Sequence, residues 1–591
     1  MYLYLQDTTL AWWGKGVGGA NYEDLYADLL YTMKPVQFKD RQQLPGLGLN
    51  IVRYNIGGGG LPSDNIDGRV DAVPPPPNYP PDDGNVEAKD HRMAWFRDID
   101  GFWVDWFNND PKTGSWDWTR DANQVSMLRA IYKRGAKVEF FANAPMWWMT
   151  RIDPSTTIPG IPGYDADTKC KASSSPEDTS CKSSAGGKLQ EWNYVDFAYY
   201  LATVVEHARN SWGIHVTSLA PFNEPSGFHP ENGPFWKYPK DQEGVNLNLT
   251  EQAVILRALR GKLNKMGLSD VKIAVSDENN LPDAIETFDF LVNQQGLRKF
   301  IDKVNVHSYA NNNDKPGDRQ ELRTTIKTKK AWVSEYGNCE DWLESDAKDC
   351  YPGKLADTIM DDITLLKPSA WLYWQAVEWG ESLPNKYSSW GLVNGAFGHE
   401  SDKDSQERGK PGYINNKYYV FAQFTRFLRP GFEIVSSRQS RPTYYENSSI
   451  PINQSLASYD AAGKKLVLIW NSSSRSNKSE SVTFDLTAAS EIACDEASVT
   501  ITSYKKDGGK QFEQTKTSVS GKKLAINAEP DTIYSIVVPG VTLMTTSQIG
   551  KSGDFTESSS ENEQNELNDC SFELSDNHVS QPSPAPRHAA G

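Results

Sequence analysis

Short apolar runs alternate with helical patterns between about residues 48 and 380. Residues 124–133 and 194–209 carry apolar side chains at the helical period, and Asn193 precedes the second stretch as an N-cap. Strands separated by helices are typical of βαβ units and a parallel sheet. The strand-like runs are LNIVRY (49–54), KVEFFA (137–142), VTSLAPF (216–222), VKIAVS (271–276), VNVH (304–307), AWVS (331–334) and AWLYW (370–374). A weaker signal at 98–103 makes eight, so the pattern predicts a (β/α)8 barrel, a TIM barrel of class α/β, over residues 1–425.

The pattern changes after about residue 430, where no helical period remains. The runs are KLVLIW (465–470), VTFDL (482–486), VTITSY (499–504) and TIYSIVV (532–538), with turn residues between them. Short strands at this spacing predict an all-β sandwich side domain over residues 426–541. From Lys551 to the end, eight acidic residues accompany two basic ones among Ser, Asn, Gln and Pro. Such a segment buries too little apolar surface to fold, so residues 542–591 are predicted to be a disordered acidic tail.

Composition excludes several classes of partner. The 591 residues include 61 Lys and Arg against 77 Asp and Glu, a formal net charge of −16. Nucleic acids and anionic membranes require a basic face, so neither is predicted as a partner. No run of about 18 apolar residues occurs, so no membrane span is predicted. The eight histidines form no HExxH motif, and the glycines at 57–60 continue into no phosphate-binding motif, so neither a metal nor a cofactor is predicted.

Two cysteine pairs suggest an oxidising compartment. Cys170 and Cys181 bracket one polar loop, and Cys339 and Cys350 bracket another of equal span. N-glycosylation sequons begin at Asn248, Asn447, Asn453, Asn471 and Asn477. Residues 1–10 lack the basic start, apolar stretch and cleavage site of a signal peptide. The interpretation is a secreted, extracellular monomer whose leader is absent from this chain.

Candidate chemistry lies where the predicted strands end, because TIM barrels place their sites at the carboxyl ends of the strands. Glu224 and Glu335 each directly follow an apolar strand, 111 residues and three strands apart, so both should point into the barrel mouth. A single such glutamate is as often a structural ion-pair partner, but two are what glycosidic cleavage requires. The other strand-end residues are Arg53, Asn55, Trp147, Trp148, Asn223, Asp277, Glu278, His307, Tyr309 and Trp374. Tryptophan is more often a core residue, yet indole also stacks on the C–H faces of sugars.

Six segments in this order resemble glycoside hydrolase family 30: RYNIGG, ANAPMWW, NEPSG, VNVHSY, VSEYG and YWQ. The resemblance spans roughly residues 8–541 and implies a retaining (β/α)8 barrel with a side β-domain. TLAWWGKGVGG, the RYNIGGGG loop and FWKYPKDQEG are most similar to the fungal endo-β-1,6-galactanase branch. One departure is MYLYLQDTT, which stands where the family has a side-domain strand and a Gly-rich first barrel strand. A truncated start would damage the first barrel strand and part of the side domain.

The resemblance implies a role for each matched residue. Glu224 would be the general acid/base and Glu335 the nucleophile, with their carboxyl groups about 5–5.5 Å apart. At rest Glu335 would be ionised and Glu224 protonated. Hydrogen bonds, from Tyr309 and Arg53, would hold the ionised Glu335. The substrate-binding residues would be Arg53, Asn55, Trp147, Asn223, His307, Tyr309 and Trp374, with Asn223 bonded to the sugar 2-hydroxyl.

The expected activity is therefore endo-acting hydrolysis of β-1,6-galactan by double displacement. The nearest alternatives keep this chemistry on β-1,6-glucan, a glucosylceramide or xylan. A different class is a carbohydrate-binding protein that has lost catalysis, against which the presence of both carboxylates argues. A third class, a structural wall protein, would need no acids at the strand ends.

Overall fold

The computed structural model describes residues 2–5, 22–38, 42–58, 99, 101–146, 149–151, 187–225, 245–309, 317–338, 351–379, 390–396, 410–440, 453–472, 478–505 and 509–544. Eight parallel strands form a closed barrel in the order β1-β8-β7-β6-β5-β4-β3-β2. They are β1 (Tyr2–Leu5), β2 (Ile51–Asn55), β3 (Lys137–Phe141), β4 (Val216–Ala220), β5 (Lys272–Glu278), β6 (Lys303–His307), β7 (Lys330–Glu335) and β8 (Ala370–Tyr373). The predicted (β/α)8 fold is confirmed.

Helices cover the outside of the barrel, and all but the last of those described connect consecutive barrel strands. They are α1 (Glu23–Tyr31), α2 (Ala122–Tyr132), α3 (Tyr194–His207), α4 (Leu249–Lys265), α5 (Leu281–Asp289), α6 (Asp318–Ile326), α7 (Pro352–Asp361) and α8 (Asn416–Thr425). Single π-helical turns at Ala208–Trp212, Phe290–Gln294 and Asp362–Leu366 follow α3, α5 and α7. Asn248 caps α4 through a capping box with Glu251, which satisfies exposed backbone donors at the helix start.

One expectation about the barrel strands is wrong. The described residues of the segment around 98–103 supply no barrel strand: Trp103 forms an isolated antiparallel bridge with Trp116 and stacks on it at 4.9 Å. The eighth strand is β1 instead, which pairs with β2 through Tyr4 and Arg53 and with β8 through Tyr2 and Leu372. Tyr2–Leu5 therefore closes the barrel.

Short strands join the loops at the carboxyl end of the barrel, here called the mouth. Thr150–Arg151, Gly187–Leu189 and Val245–Asn246 form one small sheet between the loops that follow β3 and β4. Val377–Trp379, Val393–Ala396 and Lys410–Ile414 form another after β8. A hairpin of Pro35–Phe38 and Gln42–Pro45 connects α1 to β2.

The side domain is an antiparallel sheet in the order β9-β10-β11-β17-β14-β15-β16-β12. Its strands are β9 (Glu433–Val435), β10 (Gln454–Asp460), β11 (Lys465–Ser472), β12 (Glu480–Asp485), β14 (Glu496–Ser503), β15 (Glu513–Ser520), β16 (Lys523–Ala528) and β17 (Thr532–Pro539), with β13 (Ala489–Ile492) paired to β18 (Val541–Leu543). Trp470 of β11 meets Phe484 of β12 at 6.2 Å, so the sheet folds over itself into the predicted sandwich. Strand β18 extends two residues beyond the boundary predicted at 541.

The barrel and the side domain share one apolar core. Every residue of α8 is buried, because the helix lies between the two. Gln423 donates through Nε2 to Thr502 Oγ1 at 2.8 Å, and its carbonyl accepts from Ser535 Oγ at 2.9 Å. The main cluster joins barrel residues to Val467 and Ile469 of the side domain. The domain boundary predicted after residue 425 lies at the end of α8. It separates this helix from the side-domain residues that pack against it.

Several expectations about the surface have different outcomes. Asn471 is fully buried and its side chain donates to Asp357 at 2.6 Å, so this sequon is not an accessible glycosylation site. The two predicted cysteine pairs, Trp147, Trp148, two other sequons and the tail from residue 545 lie outside the described residues, so those expectations stay predictions. Among the helices that the structure describes, none is long and apolar enough to cross a membrane.

An acidic cluster lies where α7 meets the side domain. Gln454 of β10 donates to Asp361 at 2.7 Å, and Arg319 donates to Asp362 at 2.7 Å. Burial, together with the charges of Asp357 and Asp362, raises the pKa of Asp361 to about 7 against the opposing charge of Arg319. Because the folded pKa exceeds the ordinary value of 3.8, Asp361 favours folding when protonated, and this contribution is lost as pH rises from about 4 to 7.

Asp361→Asn should therefore raise the thermal midpoint by a few degrees at pH 8, because the amide carries no charge at any pH. The gain should shrink towards zero at pH 4, where Asp361 is protonated in the folded wild type. Calorimetry at the two pH values measures the difference. Glu286→Gln makes the same charge change at an exposed position of α5 and should show no such pH-dependent gain. An equal midpoint for Asp361→Asn and wild type at pH 8 would contradict the account.

Candidate active site

Polar residues line the inside of the barrel, although the strands that carry them are otherwise apolar. Alternate residues of a strand face the same side, so one side chain in two points inward. The inward polar residues of the described strands are almost fully buried. From β2 round to β7 they include Arg53, Asn55, Glu139, Ser218, Asp277, Lys303, Asn305, His307 and Ser334. Buried polar groups are stable only when they bond to one another, so these residues act as a network.

Arg53 is the centre of this network. Its guanidinium donates to Asp277 Oδ2 at 2.6 Å and pairs with Glu139 at 3.1 Å. It also lies over the Phe141 ring, 4.2 Å from the centroid. Glu139 further accepts hydrogen bonds from Lys303 and from Asn305, the latter at 2.8 Å. Two buried carboxylates and two buried cations therefore compensate one another.

Two of these groups have shifted pKa values. Burial raises the pKa of Asp277, but the charge of Arg53 and the bonds with His307 and Ser334 outweigh it and lower the value to about 2. Burial lowers the pKa of Lys303 to about 7, against the opposing charge of Glu139. Asp277 is consequently ionised at neutral pH.

Glu224 follows β4 in a left-handed conformation, with φ of 47°. Its backbone N–H donates to the carbonyl of Asp277 at 2.8 Å. The carboxyl oxygen Oε1 lies 2.8 Å from Nδ1 of His307 and accepts from Nδ2 of Asn279 at 2.7 Å. Glu224 is 2% exposed, so these neighbours determine where its carboxyl group points.

Glu335 ends β7, where a β-bulge shifts the register so that His307 pairs with Glu335. Bulges re-aim side chains, and this one lets two consecutive residues reach the interior. Ser334 donates to Asp277, while Oε1 of Glu335 accepts from the Tyr309 hydroxyl at 3.1 Å and lies 3.6 Å from Nδ1 of His307. The other oxygen, Oε2, is buried and has no hydrogen-bond partner among the described residues.

The two carboxyl groups lie close together. One oxygen each of Glu224 and Glu335 and one ring nitrogen of His307 all fall within 4.8 Å of one another. Three such atoms could approach a metal ion. Burial lowers the pKa of His307. The charge of Glu335 and the hydrogen bonds with Asp277 and Glu224 outweigh burial and raise this pKa to about 10. As an imidazolium, His307 donates hydrogen bonds and is a cation shared by the two carboxyl groups.

Burial is the largest influence on Glu335, and it raises the pKa of that carboxyl to about 7, with Glu224 adding to the rise. His307, Arg53 and the Tyr309 hydroxyl oppose the rise. A carboxyl with this pKa is ionised above about pH 7, and the ionised resting state expected for Glu335 stays a prediction. Below this pH the pair retains a proton, because two carboxylates this close do not both ionise readily.

The structure brings most of the predicted substrate-binding residues to the mouth, but to different depths. Asn55 is fully buried, and its side chain accepts from the backbone N–H of Asn143 at 3.3 Å. Asn223 is 3% exposed, and its Oδ1 is buried without a partner among the described residues. Trp374 is partly exposed and packs on Phe141. Arg53 lies beneath the mouth among protein groups, and direct contact with substrate stays a prediction for it.

Asn279, Glu139 and Lys303 are site residues that the sequence reasoning did not select, and Asp277 was noted only as a strand end. A signal for one of them exists in the sequence. Glu139 is the central residue of KVEFF, and a charged residue in the middle of an apolar barrel strand requires a buried partner. Asn279 has no such signal, because its position depends on a bulge in β5 between Ser276 and Glu278.

Known proteins share sequence and fold with this chain. No family model matches the chain. The chain is 32% identical over 544 residues to an endo-β-1,6-galactanase of Hypocrea rufa, covering 90% of this chain and 91% of the relative. It is 24% identical over 360 residues to an exo-β-1,6-galactobiohydrolase of Bifidobacterium longum, covering 52% of this chain and 22% of the relative. In fold it resembles the catalytic domain of the GH30 xylanase C from Talaromyces cellulolyticus, with a TM-score of 0.56 and 16% identity over 92% of this chain and 96% of that one.

A closed (β/α)8 barrel with a fused side β-domain, and homology to these enzymes, define a glycosidase. Within that class, the match to the Hypocrea rufa enzyme covers about nine tenths of both chains, and the chain shares the fold of the GH30 xylanase. The chain belongs to glycoside hydrolase family 30.

Replacing the central cation of the network should be costly. Arg53→Met leaves Asp277 and Glu139 buried without their guanidinium, and breaking such a pair costs about 3–5 kcal/mol. Urea unfolding at pH 7, followed by tryptophan fluorescence, measures this loss. Arg209→Met is the matched control, because it breaks a partly exposed pair with Asp270 and should cost about 1 kcal/mol or less. Equal losses for the two variants would contradict the central role of Arg53.

Proposed function

We propose that this glycosidase cleaves β-1,6-galactan chains internally, with retention of anomeric configuration. The observation that carries the mechanism is the close approach of Glu224 and Glu335, within 4.8 Å between carboxyl oxygens. Retaining enzymes hold their carboxyl groups about 5–5.5 Å apart, whereas inverting enzymes leave about 6.5–9.5 Å for a water molecule. The buried pair lacks that space, which favours direct attack by one carboxylate.

In the first step the ionised Glu335 attacks the anomeric carbon while Glu224 protonates the departing glycosidic oxygen. The glycosidic bond breaks, and a glycosyl ester forms on Glu335. In the second step Glu224, now ionised, takes a proton from water, whose oxygen displaces Glu335 from the anomeric carbon. Glu335 suits the role of nucleophile because its Oε2 has no hydrogen-bond partner among the described residues.

The neighbouring residues would bind the sugar or orient the acids. Tyr309 and His307 direct Oε1 of Glu335, and His307 also bonds Glu224. Asn223 has a buried amide oxygen with no partner among the described residues, which suits a hydrogen bond from the sugar 2-hydroxyl. Trp374 offers a partly exposed indole for stacking. Trp147, Asn55 and Arg53 remain proposed substrate-site residues.

The sugar and the linkage are proposed from relatedness. The relative that matches nearly the whole chain is named for endo-action on β-1,6-galactan. The same two-carboxylate chemistry would serve β-1,6-glucan, a glucosylceramide or xylan, so these remain the alternatives. We also propose that the protein is a secreted monomer with the two predicted disulfides, which peptide mapping without reduction and light scattering would check.

Product release from debranched β-1,6-galactan, beside β-1,6-glucan, xylan and glucosylceramide, tests the function. The wild type should release galactose oligomers from the first substrate alone. Glu335→Gln should reduce turnover by a factor of at least about 10⁴, since the nucleophile is lost, while galactan binding measured by calorimetry remains. Near-normal activity of Glu335→Gln would exclude the proposed nucleophile.

The outcomes separate the alternatives. Release from β-1,6-glucan instead would retain the mechanism and change the substrate. Binding without product from any glycan would indicate a carbohydrate-binding protein. Proton NMR during the first minutes of the digest should show the β-anomer of the new reducing end; an α-anomer would exclude double displacement.

The activity should also depend on the pKa of Glu335. Because burial raises that pKa above the ordinary 4.5, the acidic limb of kcat/KM should lie between 4.5 and about 7. The hydroxyl of Tyr309 lowers the pKa, so Tyr309→Phe should move this limb to higher pH. Initial rates between pH 4 and 9 measure both profiles. A limb that stays in place in Tyr309→Phe would show that Glu335 does not govern it.

A further inference from the structure

The chain segment that ends β5 shapes the surroundings of Glu224. A β-bulge between Ser276 and Glu278 shifts the register of β5 against β6, and Asp277 has a left-handed φ of 55°. Successive side chains then alternate in direction. Asp277 and Asn279 reach the interior, while Glu278 accepts a hydrogen bond from Thr287 of α5. Asp277 and Asn279 are 0% and 5% exposed.

This segment holds Glu224 at two points. The carbonyl of Asp277 accepts from the backbone N–H of Glu224 at 2.8 Å, which fixes the main chain. The amide of Asn279 donates to Oε1 of Glu224 at 2.7 Å, which fixes the carboxyl group. A main-chain anchor and a side-chain anchor two residues apart in the same segment leave the carboxyl plane little freedom to rotate.

The two oxygens of Glu224 are therefore not equivalent. Oε1 is bonded by Asn279 and by His307, whose imidazolium donates as well. An oxygen that accepts two N–H bonds is the carbonyl-like oxygen of a protonated carboxyl, and the proton resides on the other one. Unlike His307, Asn279 is neutral at every pH and keeps the same donor on Oε1 throughout the reaction.

We infer that Asn279 is a positioning residue for the general acid: its amide fixes Oε1 of Glu224 as the accepting oxygen, so that Oε2 carries the proton transferred to the leaving group. This inference rests on the proposed function, in which Glu224 is the acid. In the glycosylation step the proton moves from Oε2 to the glycosidic oxygen as its bond to the anomeric carbon breaks, and water returns a proton to Oε2 in the second step. Asn279 itself exchanges no proton.

Leaving-group dependence tests the inference. A sugar leaving group needs a proton, whereas 2,4-dinitrophenolate departs without one. The test compares kcat/KM for an oligosaccharide with kcat/KM for the dinitrophenyl glycoside of whichever sugar the wild type releases. Asn279→Ala should lose up to about 10²-fold on the oligosaccharide, the lower range for a misplaced general acid, and keep near-wild-type kcat/KM on the dinitrophenyl glycoside. A merely structural role would reduce both alike.

Two further variants keep the test decisive. Asn279→Asp has the same shape and replaces the donor by an acceptor, so it should show the same split even where the alanine variant folds poorly. Asn280→Ala is the matched control, because the neighbouring Asn280 caps α5 through Asp283 and should show no split between the substrates. Equal losses on both substrates, or no loss on the oligosaccharide, would overturn the inference. A wild type that cleaves no glycan refutes the proposed function before any variant is made.

Discussion

The buried guanidinium of Arg53 is the constraint on which the barrel interior depends. A charge without water requires partners, and Arg53 has Asp277 on one side and Glu139 on the other. Glu139 in turn requires Lys303, and Asp277 bonds Ser334 and lies 3.5 Å from His307. Removal of one charged member leaves another charge uncompensated in the interior. The network therefore links five barrel strands, β2, β3, β5, β6 and β7.

The candidate catalytic groups are attached to the upper end of this network. His307 lies between the ionised Asp277 below and the two glutamates above, which is why it remains a cation. Its charge offsets part of the repulsion within the acid pair, while burial favours retention of a proton. Fixed charges beneath the site thus influence the protonation of the two carboxyl groups at the mouth.

Two β-bulges influence which side chains reach the mouth of the barrel. The bulges in β5 and β7 interrupt the strict alternation of the pleat at the last residues before the mouth. One lets Asn279 bond Glu224, and the other lets Ser334 and Glu335 both face inward. Regular strands point one residue in two away from the site. The bulge in β7 places two consecutive residues at the mouth, and the bulge in β5 changes the register from which Asp277 and Asn279 reach the interior.

The sequence alone was sufficient for the barrel class, the β-rich side domain and both candidate acids. Apolar periodicity reports burial directly, and the carboxyl end of a strand is recognisable wherever an apolar run stops at Asn223 and Glu224 or at Glu335. The same reasoning misplaced a strand, because the aromatic residues around Trp103 resemble a strand whether they enter the barrel or pack on its outside. It also overlooked Tyr2–Leu5, whose alternation is too short to assign without its partners β2 and β8.

Only the tertiary structure decided the environment of the acids. The raised pKa of Glu335 depends on burial and on charges from distant parts of the chain. Arg53, for example, opposes the rise although it precedes Glu335 by 282 residues. The bulge that aims Asn279 depends on how β5 and β6 pair, and no local pattern encodes that register. Local sequence determines which residues are buried and where strands end. Contacts between distant residues determine the protonation of the two glutamates and the direction of the Asn279 side chain. Electrostatic energies depend on distances between charges, and only the folded chain sets those distances.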